Sequence, residues 1–336
     1  MNQHDMSVHL GVEAFMVTTL TQKSVELVKQ EPSSWPSIGL IKIGGIMLTI
    51  AVVWRIIDQF VLGLGDTWMN IFPSKLFPFL IILLFFWRYR PREVESVLGL
   101  SRDRIQTQLA LGLLIGAIFT ISIDFGGSIV YRFFIDSTYP LELHILNEEL
   151  LGYTLIFFLT NAFLEETLFR GLLLNAFKTR LTPTISIMLS AIIFGFWHAG
   201  WPIINGGTNV LGQVASMVFF TMILGIFFGI YYERFSSASS LIGPITIHTI
   251  INFFSESFKI GPEPVIQGPD LAFSNGGLMT TTLLMFMLVF VTLGIFLWKY
   301  KIEQVTGISR RLIGRGNIVQ TDNDNDISKN LMNNEV

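Results

Sequence analysis

Long apolar runs separated by short polar breaks set the pattern of this chain. Spans are expected at about 38–62, 72–87, 108–123, 150–177, 184–199, 211–232, 239–254 and 278–298. Such runs approach the length of about 20 residues that a helix needs to cross a bilayer core. The third run can continue past Asp124 to Val130, after which Tyr131–Leu146 reads as a polar, aromatic loop. Gly200 and Pro202 stop the fifth run, and Ser255–Gly277 reads as a loop rich in Pro and Gly. The ends differ in character. Met1–Ser37 is mixed and polar, with room for a short amphipathic helix over Val8–Val28, and the Asn/Asp-rich tail after Gly314 is expected to be disordered. No segment repeats at a fixed period. The expected fold is all-α: a polytopic membrane helix bundle of about eight transmembrane helices over 38–300. A cytoplasmic segment (1–37) precedes it, and a cytoplasmic, partly disordered tail (301–336) follows.

Composition supports this reading. Of 336 residues, 51% are hydrophobic and 14% charged, against about 25% charged in soluble domains. The mean hydropathy is +0.57. The lipid bilayer is therefore an expected partner, and nucleic acid is not. An even number of spans puts both termini on one side, and the cations say which. With the ends in the cytoplasm, Arg88, Arg90, Arg92, Arg102 and Arg104 crowd one inner loop, while only Lys75, Arg132 and Lys259 fall outside. That distribution obeys the positive-inside rule, whereas the net charge of -3 says little. The absence of cysteine excludes disulfides, Cys-ligated zinc, iron–sulfur clusters and a thiol nucleophile together. The start of the chain lacks the charged-then-apolar pattern of a cleaved signal peptide.

A few polar residues sit where lipid should be. NAFLEETLFRGLLLNAF (161–177) places Glu165, Glu166 and Arg170 within an apolar run. A charge at a helix centre costs about 2.5–3.5 kcal/mol on insertion scales, so three within six residues call for a reason. Glu166 and Arg170 stand at i, i+4 in the order that favours an ion pair on one helix face. That pair leaves Glu165, about 100° round the helix, to be answered by neighbouring spans. His198 closes the fifth run in FGFWHAGWP, on one face with Phe194. Its alternative is an interfacial histidine between Trp197 and Trp201 in an aromatic belt. In PITIHTIINFF, His248 and Asn252 share a face of the seventh run, either as site residues or as interhelical hydrogen-bonding groups. Arg55 and Asp58, at i, i+3 in the first run, could pair, or Arg55 could reach the interface; no chemistry is assigned to them.

Together these residues spell EExxxR, FxxxH and HxxxN on three successive polar-bearing helices. Over about 150–255 the chain resembles the CAAX protease and bacteriocin-processing (Abi) family of intramembrane endopeptidases. The resemblance implies that Glu165 and His198 activate a water, that His248 and Asn252 stabilise the oxyanion, and that Glu166 and Arg170 orient the site. It implies a peptide or protein substrate, membrane-anchored or a secreted precursor, cut within the membrane or near its cytoplasmic side. No cofactor is expected. Zinc at Glu165, His198 and His248 is the less favoured alternative, because the acids and imidazoles come from three helices with no HExxH. The family is tied in bacteria to peptide maturation and immunity, so a bacterial plasma membrane is expected. Two other functions compete with proteolysis: a non-catalytic membrane scaffold or immunity/cell-envelope regulator, and an ion-coupled transporter using Glu and His as a relay.

Overall fold

The computed structural model describes residues 39–62, 71–146, 148–205, 210–262, 275–305 and 307. The expected helix at Val8–Val28 and the expected disorder after Gly314 lie outside the described residues. Each of the eight apolar runs is helical. We label them α1 (Leu40–Leu62), α2 (71–89, its first turns Ile71–Leu76 wide and π-like), α3 (Ile105–Phe134), α4 (151–178), α5 (Pro183–Trp197), α6 (Val210–Phe235), α7 (Ile242–Ser257) and α8 (Gly276–Lys299). Four of them, α1, α3, α6 and α8, are long and apolar enough to cross a membrane by length and composition. The molecule is an all-α membrane bundle with one small ribbon.

Several boundaries differ from the sequence expectation, each for a local reason. Helix α3 runs on through Asp124 to Phe134, so the start of the expected loop is helical. Asp124 is accommodated because Ser255 Oγ donates to it at 3.0 Å. Past the end of α5, Gly200–Asn205 forms another short helix that includes Pro202; proline is tolerated in the first turn, where its missing N–H is not needed. The loop after α7 begins as strand β2 (Phe258–Ile260), which pairs antiparallel with β1 (Leu143–Ile145). Clear caps mark two helix starts. Thr182 precedes Pro183 and caps α5 weakly, whereas Asn275 Oδ1 accepts from the N–H groups of Gly277 and Leu278 at the start of α8.

Outward faces stay apolar: Leu284, Leu288 and Ile295 of α8 and Leu113 and Leu114 of α3 are exposed. A soluble protein would place polar groups there, and a lipid-facing helix has no need to. Inside the bundle, association depends on close contact rather than on excluding water. Gly112 and Gly116 of α3 let α7 approach so near that an added Cβ would lie 2.6 Å from Thr246 and 2.8 Å from Ile250. Helix α7 is thereby wedged between α3 and α4, and α5 packs chiefly on α6. These two pairings bring His248 and the end of α5 to the centre of α4.

Candidate active site

Helix α4 holds the glutamates where its backbone changes form. It is α-helical over Leu151–Glu166 and π-helical over Thr167–Leu173. Widened turns of this kind inside an α-helix often mark functional sites. Glu165, Glu166 and Arg170 are all buried, at 1%, 0% and 1% exposure. Their partners come from α5 and α7, as a buried carboxylate in an apolar bundle requires.

Glu166 is held from two sides. Its Oε1 accepts from Arg170 Nη1 at 3.0 Å, the pair expected from their spacing, and from His248 Nδ1 at 2.8 Å. The Arg170 guanidinium lies between two rings, 3.9 Å from the centroid of Phe194 and 5.1 Å from that of Phe228. Gly225 of α6 makes room for it: an added Cβ would come within 3.2 Å of Arg170 Nη2. Phe228 also stacks on His248, with centroids 5.3 Å apart and planes at 20°. Cation–π contacts of this kind partly replace the water that the guanidinium has lost.

Glu165 has one direct partner. Its Oε1 accepts from the indole N–H of Trp197 at 2.9 Å, and its Oε2 makes no hydrogen bond to a described residue. That free oxygen lies 3.7 Å from His198 Nε2 and 3.6 Å from His248 Nε2. Both imidazoles are oriented from behind. His198 Nδ1 faces the Phe194 carbonyl at 2.9 Å, and His248 Nδ1 faces Glu166. A carbonyl can only accept, so His198 carries its proton on Nδ1 and, when neutral, presents the Nε2 lone pair to Glu165. Phe194 also packs edge-on to His198, centroids 4.7 Å apart, so the F of FxxxH serves the imidazole and the arginine alike.

Five of the six expected site residues are thus brought together: Glu165, Glu166, Arg170, His198 and His248. His198 is half-buried, just past the end of α5. Asn252 stands one turn beyond His248 on α7, half-buried, and no hydrogen bond links it to the others. The two adjacent glutamates reach opposite nitrogens of one imidazole and do not converge on a single point. Among the described residues no group of three or more His, Cys, Asp or Glu that could hold a metal ion is found. Sequence reading missed Trp197, which it placed among interfacial aromatics. The available signal was an indole N–H in an apolar run, which needs an acceptor once buried.

The Arg55–Asp58 pair does not form. Asp58 instead accepts from Ser74 Oγ, and Arg55 lies over the Trp197 ring, 4.6 Å from its centroid. Lys75, expected in an outer loop, stands in the first turns of α2 beside them.

A bundle of apolar helices with carboxylates and imidazoles gathered at its centre defines a membrane protein with a built polar site. Residues 147–254 match the family model described as Type II CAAX prenyl endopeptidase Rce1-like. The match spans α4 to α7 and includes every one of the motif residues, so this part of the chain is similar to that family. No curated protein matches the chain.

Proposed function

We propose that the chain is an intramembrane endopeptidase in which Glu165 and His198 activate a water for attack on a peptide carbonyl. The observation that carries this reading is the approach of Glu165 Oε2 to two imidazole Nε2 atoms whose other nitrogens are already engaged. Glu165 Oε2 and His198 Nε2, both able to accept a proton, stand 3.7 Å apart, too far for a direct bond and suited to sharing a molecule with two donor hydrogens, with His248 Nε2 3.6 Å from the same carboxylate oxygen. A water held there gives one hydrogen to Glu165 and the other to His198, leaving an oxygen lone pair for the carbonyl. Glu165 takes the proton as the tetrahedral intermediate forms and returns it to the leaving amine.

The oxyanion falls to His248 and Asn252. For His248 to donate through Nε2 while Nδ1 donates to Glu166, the ring must carry both protons, with its charge facing Glu165 and Glu166. Arg170 and Glu166 act through His248 by fixing its plane. The substrate is a peptide or protein, and the bilayer supplies its second dimension of confinement. In this reading all eight helices cross the membrane, with both termini in the cytoplasm, and the membrane is a bacterial plasma membrane.

Purified chain in lipid nanodiscs, incubated with a peptide library and read by mass spectrometry, tests the activity. Cleavage lost in Glu165→Gln and His198→Gln, with thermal midpoints kept, is the expected outcome. A scaffold or immunity protein would instead complement a deletion strain with either variant, and that result would replace proteolysis with the non-catalytic reading.

A further inference from the structure

The polar cluster is covered unevenly along the bundle. From Glu166 to Leu174 every residue of α4 is buried, and so are Gly243, Pro244, Ile245 and Ile247, which lead up to His248 in α7. This end is closed by a short segment between α2 and α3, Val97–Ser101. Asn175 Nδ2 donates to the Val97 carbonyl at 2.9 Å, the Leu241 N–H to that of Gly99 at 2.9 Å, and Ser240 Oγ to that of Ser101 at 2.8 Å. Leu98 is wholly buried, and Gly171 lets its backbone lie on the widened turns of α4: an added Cβ would stand 2.7 Å from the Leu98 carbonyl oxygen. Gly99 takes a φ of +65°, which suits glycine, and an added Cβ there would meet Leu241 at 2.7 Å. Gly171 comes six residues after Glu165 and Leu241 seven before His248, so the segment forms a floor about 9–10 Å from the cluster.

The other end is looser. Past His248, Asn252 and Ser255 are partly exposed and Glu256 is exposed, and before Glu165, Tyr153, Ile156 and Leu159 are exposed. Of the five clustered side chains only that of His198 reaches the surface, at 19% exposure against 5% or less for the others. Its depth says which surface. A turn at 179–182, beside Lys178 and Arg180, joins the end of α4 to the start of α5. From there Glu165 lies about 20 Å along α4, and α5 runs about 22 Å before His198. In a hydrocarbon core about 30 Å thick, the cluster is nearer the opposite surface, where the β1–β2 ribbon joins the far ends of α4 and α7. A partly exposed imidazole at that depth belongs to a water-filled recess and not to a lipid face. The cations mark the side of the floor: Arg88, Arg90, Arg92, Arg102 and Arg104 flank it, which makes it cytoplasmic by the positive-inside rule.

We propose that Val97–Ser101 closes the site to the cytoplasm and that water and substrate enter past His198 from the ribbon side. The peptides cut are then segments presented outside the cytoplasm, either exported peptides or the outer ends of membrane proteins. That substrate class rests on the peptidase reading; the direction of access does not.

The natural lack of cysteine makes the direction measurable. Three single variants of the full chain are treated with a charged, membrane-impermeant maleimide in sealed right-side-out and inverted vesicles. Ala199→Cys reports on the entrance beside His198, Ser137→Cys on the exposed ribbon side, and Arg102→Cys on the exposed surface next to the floor. Ala199→Cys is expected to be labelled in the right-side-out vesicles that label Ser137→Cys, and to lose labelling in the inverted vesicles that label Arg102→Cys. Should Ala199→Cys not fold, Gly200→Cys gives the same reading. Labelling in company with Arg102→Cys overturns the proposal, as does reaction with a membrane-permeant maleimide alone. Labelling of Arg102→Cys in right-side-out vesicles overturns the substrate class, because the floor then faces outward. The peptide library is offered to the wild-type chain in both kinds of vesicle, and cleavage is expected only in those where Ser137→Cys is reachable. The expected labelling with no cleavage in either keeps the route and removes the peptidase; cleavage from the Arg102 side alone overturns the route and keeps the peptidase.

Discussion

The two glutamates differ by one position in the chain and by nearly everything else. Glu166 bonds Arg170 and His248 through one oxygen, and its arginine is clamped between Phe194 and Phe228. Glu165 takes a single bond from Trp197 and turns its other oxygen, unbonded, towards two imidazoles. One half of the cluster is locked and the other is open to a third molecule. Each glutamate leaves its Oε2 without a hydrogen bond to a described residue; what differs is that the Glu165 oxygen faces two imidazoles, whereas Glu166 has an arginine and an imidazole bonded to its Oε1. The proposed function gives Glu166 a positioning role and Glu165 the reaction, and that contrast can be broken at four points.

Glu165→Gln has the largest expected effect. The amide oxygen can still accept from Trp197, so folding should survive, while loss of the base lowers the cleavage rate by about 10²–10⁴-fold. Rates and thermal midpoints measured on the same preparation check both halves of that statement. Arg170→Leu should act in the opposite sense, on stability first. It strands Glu166 at 0% exposure, and losing one partner of a buried pair costs about 3–5 kcal/mol. Detergent-resistance or thermal unfolding should show a marked drop, part of which returns in the double variant Glu166→Gln/Arg170→Leu, because Gln still accepts from His248.

Trp197→Phe is a smaller and sharper probe. It keeps a ring beneath Arg55 and removes the one hydrogen bond that Glu165 receives among the described residues, worth about 1.5–3 kcal/mol for a charged acceptor. A fall in kcat is expected beyond what that loss of stability explains, seen as reduced kcat at temperatures where the variant is fully folded; unchanged kcat there would make Trp197 a packing residue. Least of all, Ser190→Ala removes the bond from Ser190 Oγ to the Phe169 carbonyl at 2.7 Å. It should cost about 1 kcal/mol of stability and leave kcat alone, since it steadies the π-helical stretch without touching the cluster.

How much of this was legible in the chain depends on the kind of residue. Glu165, Glu166, Arg170, His198 and His248 stand out because ionisable groups are costly in apolar runs, and a cost of that size shows through any packing. The Glu166–Arg170 pair follows from helical spacing alone. The eight helical stretches were likewise visible as apolar runs, although α3 runs into the start of the expected loop, to Phe134, with Asp124 answered by Ser255 from more than a hundred residues away. Trp197 was not legible: tryptophan is ordinary at a membrane interface, and only the packing of α5 against α4 turns its N–H to Glu165. The placing of Arg55 was hidden for a similar reason. Arg55 and Asp58 share a helix and invite a local pair, whereas their actual neighbours, Trp197 and Ser74, arrive from α5 and α2. Spacing within one helix reads well from sequence, and contacts between helices do not.

Comparison of newly formed peptide termini in membranes carrying the wild-type chain or Glu165→Gln, at matched protein levels, tests the central claim most directly. The account predicts a defined set of cleaved termini with the wild type that vanishes in the variant while the protein remains inserted and folded. Identical termini in both membranes would contradict it and leave the buried cluster a structural device.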